Sequence, residues 1–277
     1  MTEQKKRILE SAEFLKSNNP FKKQTAFALV TYYNPSFLKE FKIAGRFKYK
    51  EIPPSLNSGN GELNGEVIFA SHKKANKNFI ILNGHINYYD GYDMHDTAHY
   101  IYVLKEMGVK NVLLIDEVGH LNPRYKIGNT ALIYDHINLM GNNPLIGEND
   151  DSLGPRFPDM SNAYDEKWTA GIEKFLIEKK FKHHQSVYIG VTGPETETEA
   201  ECRFYRDIGA DVLGYSLVPE NIAAVHCGLR VSAFGMISRE LVADRLVEIS
   251  DEEKSKNRLK AEKAFSPVLA ELVGMSK

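Results

Sequence analysis

The chain has 277 residues, of which 42% are hydrophobic and 26% are charged, a composition typical of a globular protein with a sizeable core. Its net charge of -2 provides no broad attraction to nucleic acid or to an acidic membrane surface, so neither is expected as a partner. Cys202 and Cys227 lie far apart in apolar surroundings, which predicts buried, reduced thiols and excludes a fold built on disulfides.

The N-terminal segment 1–20 places apolar residues at helical spacing among charges, which predicts an amphipathic helix over 3–17 and not a signal peptide. The sequence also has no apolar run approaching the about 20 residues that a membrane-spanning helix needs. We therefore expect a cytoplasmic protein with no membrane partner.

Further along the chain, short apolar runs alternate with longer segments of helical periodicity. Strands are predicted at 25–33, 65–72, 78–84, 111–117, 130–138, 186–193, 210–216 and 229–238. Helices are predicted at 94–107, 164–180, 197–208, 219–227 and 251–273. This order predicts an α/β fold, a single domain over 1–277 with a central, mainly parallel sheet flanked by helices. The segment 139–163 has no periodicity, and a loop of that length is usually functional or lies at an interface.

Candidate site residues follow from the predicted fold, because ligands of α/β sheets collect at the carboxyl ends of the strands. Those ends lie at 32–36, 85–92, 116–120, 136–138, 195–201, 215–216 and 238–239. The stretch VTGPETETEAECR at 191–203 is unusual because it carries four glutamates, one at every second position. Acidic residues favour the first turn of a helix, and Thr196 or Thr198 could cap it. The cluster is therefore either a solvated helix start or part of a ligand site.

Three blocks of sequence resemble the trimeric class of purine nucleoside phosphorylases. They are DHINLMGNNPLIGENDDSLGPRFPDMSNAYD at 135–165, TGPETETEAECR at 192–203 and ADVLGYSLVPENIAAVHCGLRV at 210–231, with weaker matches at 84–92 and 118–123. The resemblance implies one α/β domain around a mixed sheet, assembled as a homotrimer. It implies cleavage of the N-glycosidic bond of a purine nucleoside by inorganic phosphate, giving the free base and a pentose 1-phosphate. It implies no cofactor; phosphate is the co-substrate, and a purine nucleoside or base is the partner.

The resemblance also assigns roles at the base and the sugar. Glu197 matches the carboxylate that accepts hydrogen bonds from the purine ring N–H, which leaves the other three glutamates as helix-start charges. Tyr215 and Ser216 match the pair that lines the sugar and the phosphate, and Tyr89 matches an aromatic residue beside them. Phe157 matches a ring that reaches from a neighbouring subunit onto the sugar. For Tyr89 and Phe157, simple packing is an almost equal alternative.

Two positions depart from the family pattern near the base. Arg239 stands where an asparagine contacts the purine, and Thr196 stands where a phenylalanine stacks beside it. Arg239 either donates to the purine N7 and stabilises the leaving base, or pairs with Glu197 and fills an empty pocket. His226 belongs to the family pattern, and we expect it to be a structural histidine.

The departures are concentrated at the phosphate. VTYYNPSF at 30–37 replaces a glycine-rich loop, which puts Tyr32 at a serine position and leaves Ser36 as the alternative. His85 replaces an arginine and is expected to be mostly neutral at pH 7, and Asn87 replaces a second phosphate ligand. Glu117 replaces a small residue, and its charge would repel an anion about 4 Å away by roughly 4 kcal/mol at an effective dielectric of about 20. The sequence thus predicts a phosphate pocket that is damaged or repurposed.

Three functions are consistent with this sequence. A phosphorylase with an unorthodox phosphate pocket is placed first. A phosphate-independent nucleoside hydrolase would use Glu117 as the general base for a water molecule. A silent purine- or nucleoside-binding relative would show an ion pair between Glu197 and Arg239, with Tyr32 and Tyr33 filling the phosphate cavity.

Overall fold

A computed structural model describes residues 1–21, 25–32, 36–56 and 63–275, without the side chains of 36, 274 and 275. The described strands are β1 (Phe27–Thr31), β2 (Phe41–Lys48), β3 (Glu66–His72), β4 (Asn78–Asn83), β5 (Asn111–His120), β6 (Thr130–Asn138), β7 (His183–Gly190), β8 (Val212–Gly214) and β9 (Arg230–Glu240). The described helices are α1 (Glu3–Ser17), α2 (Met94–Glu106), α3 (Glu166–Glu178), α4 (Glu199–Asp207), α5 (Leu217–His226) and α6 (Asp251–Met275). Among these residues no helix has the length and apolar character needed to cross a membrane.

The strands form a mixed sheet in the order β2-β3-β4-β1-β5-β8-β7-β6-β9. β1 pairs in parallel with β4 and β5, and β5 pairs in parallel with β9. β9 pairs with β6 as well as with β5, so β5, β8, β7, β6 and β9 close into a ring. The carboxyl ends of β1, β4, β5 and β9 therefore lie along one edge of the sheet, where ligands of α/β proteins bind.

The sheet is covered by helices on both faces because its central strands are apolar on both sides. In β1, Ala28 and Val30 join a buried cluster with residues of α1, α2 and α5. Phe27 and Leu29, which alternate with them, join a second buried cluster with residues of α3 and α6. This alternation is the period of two expected of a strand buried on both faces.

Side-chain caps fix where the helices begin. The carboxylates of Asp93 and Asp165 accept from backbone N–H groups at the starts of α2 and α3, and Thr198 caps α4. These acceptors satisfy amide groups that have no partner within the helix. Cys202 and Cys227 are buried free thiols, as the sequence predicts.

The predicted elements agree with the structure except at one strand. All six helices lie within a few residues of their predicted positions. The sequence analysis assigned no element to β2, the outer strand of an antiparallel unit with β3 and β4. Of the nine strand pairings among the described residues, five are parallel and four are antiparallel, which gives the mixed sheet that the resemblance implies.

Candidate active site

A cleft of about 810 Å³ opens at the edge where the carboxyl ends of β1, β4, β5 and β9 meet. It is extended by the segment after β7 and by the start of α5. Nine predicted site residues line it: Tyr32, His85, Asn87, Tyr89, Glu117, Thr196, Tyr215, Ser216 and Arg239. Strand topology therefore brings together residues that are spread over most of the sequence.

Glu197, Tyr215 and Arg239 form a connected group, of which Tyr215 and Arg239 line the cleft and Glu197 does not. The Tyr215 hydroxyl donates to Glu197 Oε1 at 2.6 Å, and Arg239 Nη1 donates to the Tyr215 hydroxyl at 3.0 Å. Arg239 Nη1 also lies 3.6 Å from Glu197 Oε2, so the predicted ion pair is present. The Glu197 side chain is only 4% exposed, and its Oε2 has no hydrogen-bond partner among the described residues. A buried acceptor in this state is suited to an N–H group of a ligand.

Asn87, Ser216 and Tyr89 lie on the side of the cleft next to this group. The Ser216 hydroxyl donates to Asn87 Oδ1 at 2.7 Å, which fixes both side chains. The Tyr89 ring meets the Tyr215 ring edge to face, with centroids 5.8 Å apart. Burial, and next the Asp90 carboxylate, raise the pKa of Tyr89 to about 12, so its phenol stays protonated and can donate.

His85 follows Gly84, whose φ of +129° is rarely adopted by a residue with a side chain. Its Nδ1 lies 2.7 Å from Glu220 Oε1, and its Nε2 lies 3.0 Å from the carbonyl oxygen of Ile115. Burial alone would lower the pKa of His85, but Glu220 and Asp116 outweigh it and raise the pKa to about 9. The expectation of a mostly neutral histidine is therefore wrong: His85 is an imidazolium, because two carboxyl groups stabilise its charge.

The carboxyl groups that face His85 are themselves buried. Burial is the main cause that raises the pKa of both Glu220 and Asp116, and His85 opposes it in each case. The Tyr188 hydroxyl donates to Asp116 Oδ2 at 2.7 Å. The positive charge of His85, at the position where the family has an arginine that binds phosphate, is therefore paired with carboxyl groups of the protein.

Glu117 is held on both of its carboxylate oxygens. The Ser238 hydroxyl donates to Oε1 at 2.6 Å, and Arg258 Nε lies 2.6 Å from Oε2. Arg258 and Lys254, both on α6, line the cleft, and the sequence analysis missed them. The repulsion expected from Glu117 is therefore offset by a paired cation.

Tyr32 lies beside this ion pair. Its hydroxyl donates to Glu262 Oε1 at 2.6 Å, and the Arg258 guanidinium lies 5.9 Å from the centroid of its ring. Burial and the Glu262 carboxylate raise the pKa of Tyr32 well above its usual range. Residues 33–35, with the predicted Tyr33, and the side chain of Ser36 lie outside the residues that the structure describes.

Glu199 and Glu201 of the 195–201 cluster serve the helix start. Thr198 accepts from the Glu201 N–H at 3.3 Å, and Glu201 Oε2 accepts from the Thr198 N–H at 2.8 Å, a reciprocal cap. Glu199 pairs with Arg203 one turn later. Of the two threonines considered, Thr198 makes the cap and Thr196 lines the cleft.

Phe157 lies away from the cleft, in the segment 139–163, which contains no helix or strand. Its side chain is 87% exposed, so packing within its own chain does not account for it. His226 is buried and lies 2.9 Å from the Tyr102 hydroxyl, as expected of a structural histidine.

The chain has relatives among known proteins. The model of the phosphorylase superfamily matches residues 40–274. Purine nucleoside phosphorylase 1 of Bacillus subtilis (strain 168) is 33% identical over 259 residues, covering 91% of this chain and 94% of the relative. Purine nucleoside phosphorylase of Mus musculus is 37% identical over 215 residues, covering 75% of this chain and 72% of the relative.

Solved structures agree over nearly the whole chain. Schistosoma mansoni purine nucleoside phosphorylase in complex with adenosine superposes with a TM-score of 0.86 at 26% identity, covering 98% of both chains. The same enzyme in complex with inosine gives a TM-score of 0.86 at 25% identity, covering 98% of this chain and 97% of the other. The agreement includes the N-terminal region before residue 40, which the family model does not match.

Proposed function

The chain belongs to the phosphorylase superfamily, as a divergent member of its purine nucleoside phosphorylases, and from that membership we propose that it phosphorolyses purine nucleosides. An oxygen of orthophosphate bonds to C1′ of the sugar while the bond from C1′ to the purine nitrogen breaks. The electron pair leaves with the purine, which then takes up a proton. The products are the free base and a pentose 1-phosphate.

The group of Glu197, Tyr215 and Arg239 is the observation that carries this proposal. Glu197 Oε2, buried and without a hydrogen-bond partner among the described residues, accepts a ring N–H and orients the base. Arg239 lines the cleft, and its guanidinium charge stabilises the negative charge that grows on the leaving purine. In this proposal the ion pair between Glu197 and Arg239 is a preorganised base site, because the cleft beside it remains open.

The sugar and the nucleophile lie next to that group in the proposal. The Ser216 hydroxyl and the Asn87 amide, held together by their hydrogen bond, face the pentose and the phosphate. Tyr89 packs against the sugar and donates through a phenol that stays protonated at neutral pH. Thr196 is exposed and lines the cleft, and in this proposal it lies beside the base where the family has a larger phenylalanine.

The alternative of a hydrolase receives no support from Glu117. A general base must accept a proton from water, and both oxygens of Glu117 already accept from Ser238 or pair with Arg258.

The deciding experiment measures release of free base from inosine and guanosine, with and without orthophosphate at constant ionic strength. We expect release that requires phosphate, and a loss of kcat/KM of about a hundredfold or more in Glu197→Gln. Glu195→Gln is the matched control, because it changes a neighbouring exposed glutamate, and it should retain wild-type kinetics. Release without phosphate would identify a hydrolase, and no release in either condition would leave a binding protein.

The assembly and location form part of the same proposal. We place the protein in the cytoplasm as a homotrimer, on the family resemblance and on the exposed ring of Phe157. Light scattering coupled to size exclusion should then give about three times the chain mass of 31.4 kDa.

A further inference from the structure

Among the described residues that line the cleft, the cationic side chains are His85, Arg239, Lys254 and Arg258. Both ring nitrogens of His85 are within hydrogen-bond distance of protein acceptors, Glu220 and the Ile115 carbonyl. Arg239 Nη1 is shared between the Tyr215 hydroxyl and Glu197 Oε2, and in the proposed function this side chain serves the purine. His85 therefore has no N–H left for a phosphate oxyanion, and Arg239 is already assigned to the base.

Arg258 keeps N–H donors that His85 does not. It lies on α6, between Lys254 and Glu262 at intervals of four residues, so the three share the face of the helix that borders the cleft. Its ion pair with Glu117 runs through Nε. A guanidinium has five N–H donors, so the pair leaves the two terminal amino groups for a second acceptor.

The position of Arg258 is fixed by groups around it. Glu117 Oε2 holds Nε, and the Ser238 hydroxyl holds Glu117 through the other oxygen. The ring of Tyr32 lies under the guanidinium, at 5.9 Å. A guanidinium anchored in this way is suited to bidentate binding of a phosphate, because little side-chain entropy remains to be lost.

We propose that Arg258 supplies the charge that binds orthophosphate in this cleft, with Glu117 as its positioning residue. This inference rests on the proposed phosphorolysis. The cationic ligand has moved from the end of β4, where His85 is held by Glu220, to the C-terminal helix α6. Lys254 lies one turn before Arg258 on the same face and also lines the cleft, with its ammonium 2.9 Å from Asp251 Oδ1.

The test compares Arg258→Gln with Lys256→Gln, a matched control on the outer side of α6 whose ammonium pairs with Glu252. Orthophosphate binding is measured by isothermal titration at constant ionic strength, and the KM values for phosphate and for inosine are measured separately. Arg258→Gln should raise the Kd and the KM for phosphate at least about tenfold and change the KM for inosine less than about twofold. Lys256→Gln should match the wild type.

A double variant distinguishes direct binding of phosphate by Arg258 from an indirect effect in which Arg258 only neutralises Glu117. In Glu117→Gln/Arg258→Gln the repelling carboxylate is gone, so phosphate binding stays weak if Arg258 is a ligand. Recovery of wild-type phosphate affinity in the double variant would overturn the proposal. Unchanged phosphate affinity in Arg258→Gln would also overturn it. Inosine 5′-monophosphate is titrated in the same way. If Arg258→Gln weakens binding of this ligand but not of orthophosphate, the guanidinium serves an ester phosphate and the proposal is overturned.

The binding measurement keeps this inference separate from the proposed function. A wild-type protein that binds phosphate through Arg258 but releases no base would contradict phosphorolysis and support the anion site. A wild-type protein that releases base with phosphate, and does so equally well in Arg258→Gln, would support phosphorolysis and contradict the anion site.

Discussion

Pairing of charges determines the character of the cleft at the scale of single residues. His85 is paired with Glu220, Arg239 with Glu197, and Arg258 with Glu117. Each cation is thereby kept charged and held in one orientation, which is the condition for electrostatic stabilisation without reorganisation. Both ring nitrogens of His85 are used inside the protein, whereas each arginine pair leaves guanidinium N–H groups for a substrate.

His85 makes the folding stability depend on pH in a direction that can be measured. Its pKa in the folded protein is about 9, above the value near 6.5 expected of an unfolded chain. A raised pKa contributes stability that is fully present below about pH 6.5 and is lost as the pH rises through about 9. The buried carboxyls Glu220 and Asp116, whose pKa values are also raised, act in the same direction at lower pH.

We therefore expect the free energy of unfolding to fall between pH 6.5 and pH 9 by on the order of 2 kcal/mol, measured with urea at several pH values. Ring NMR signals give a direct check, with the His85 resonance identified by its loss in His85→Gln. The resonance of the surface residue His95, 40% exposed and identified in the same way with His95→Gln, is the reference with which the His85 titration is compared. A His85 resonance that titrates near pH 6, or a stability that rises over this interval, would contradict the assignment of an imidazolium.

At the scale of elements, sequence patterns located the helices and most strands because each buries a regular face. The strand β2 was missed although Phe41, Ile43 and Phe47 recur at even spacing, the signal of a strand with one buried face. Gly45 interrupts the apolar row, and the alternate positions hold Lys42, Ala44, Arg46 and Lys48. A strand with so few apolar residues is stabilised by its pairing with β3, and this pairing cannot be predicted from the local sequence.

The candidate site was predictable to the extent that it depends on strand ends. Tyr32, Asn87, Glu117 and Ser216 meet in the cleft as the topology rule requires. Arg258 was not predictable, because α6 starts with a long run of charged residues and only the packing of the helix decides which of them border the cleft. Long-range contact of this type has no signature in the local sequence.

The start of α4 provides a prediction at the same scale. Thr198→Ala removes the side-chain acceptor and the reciprocal bond with Glu201, so it should lower the free energy of unfolding by about 1 kcal/mol. Thr196→Ala, two residues earlier and without a capping bond, should change stability by less than about 0.5 kcal/mol. Urea denaturation of the two variants and the wild type measures both values, and equal losses in the two would argue against the cap.

At the scale of the whole molecule, one chain supplies most of the predicted residues of the cleft but leaves Phe157 on an exposed loop. The segment 139–163 carries further exposed apolar side chains, Leu139 and Ile146. Exposed apolar residues grouped on one loop are typical of a surface covered by another molecule. In the proposed homotrimer the loop of one subunit would lie against the cleft of the next, a head-to-tail contact that closes after three subunits.

A complementation experiment tests whether sites are shared between subunits. Glu197→Gln removes the base acceptor, and Phe157→Ser removes the ring, which should raise the KM for the nucleoside about tenfold. When the two variants carry different tags and are co-expressed, a mixed trimer contains a site with Glu197 from one chain and Phe157 from its neighbour. Trimers purified through both tags should then exceed the mean activity of the two parent trimers at low nucleoside concentration, approaching about one wild-type site in three. Activity no higher than that mean would show that each chain builds its site alone, and Phe157 would then have no part in it.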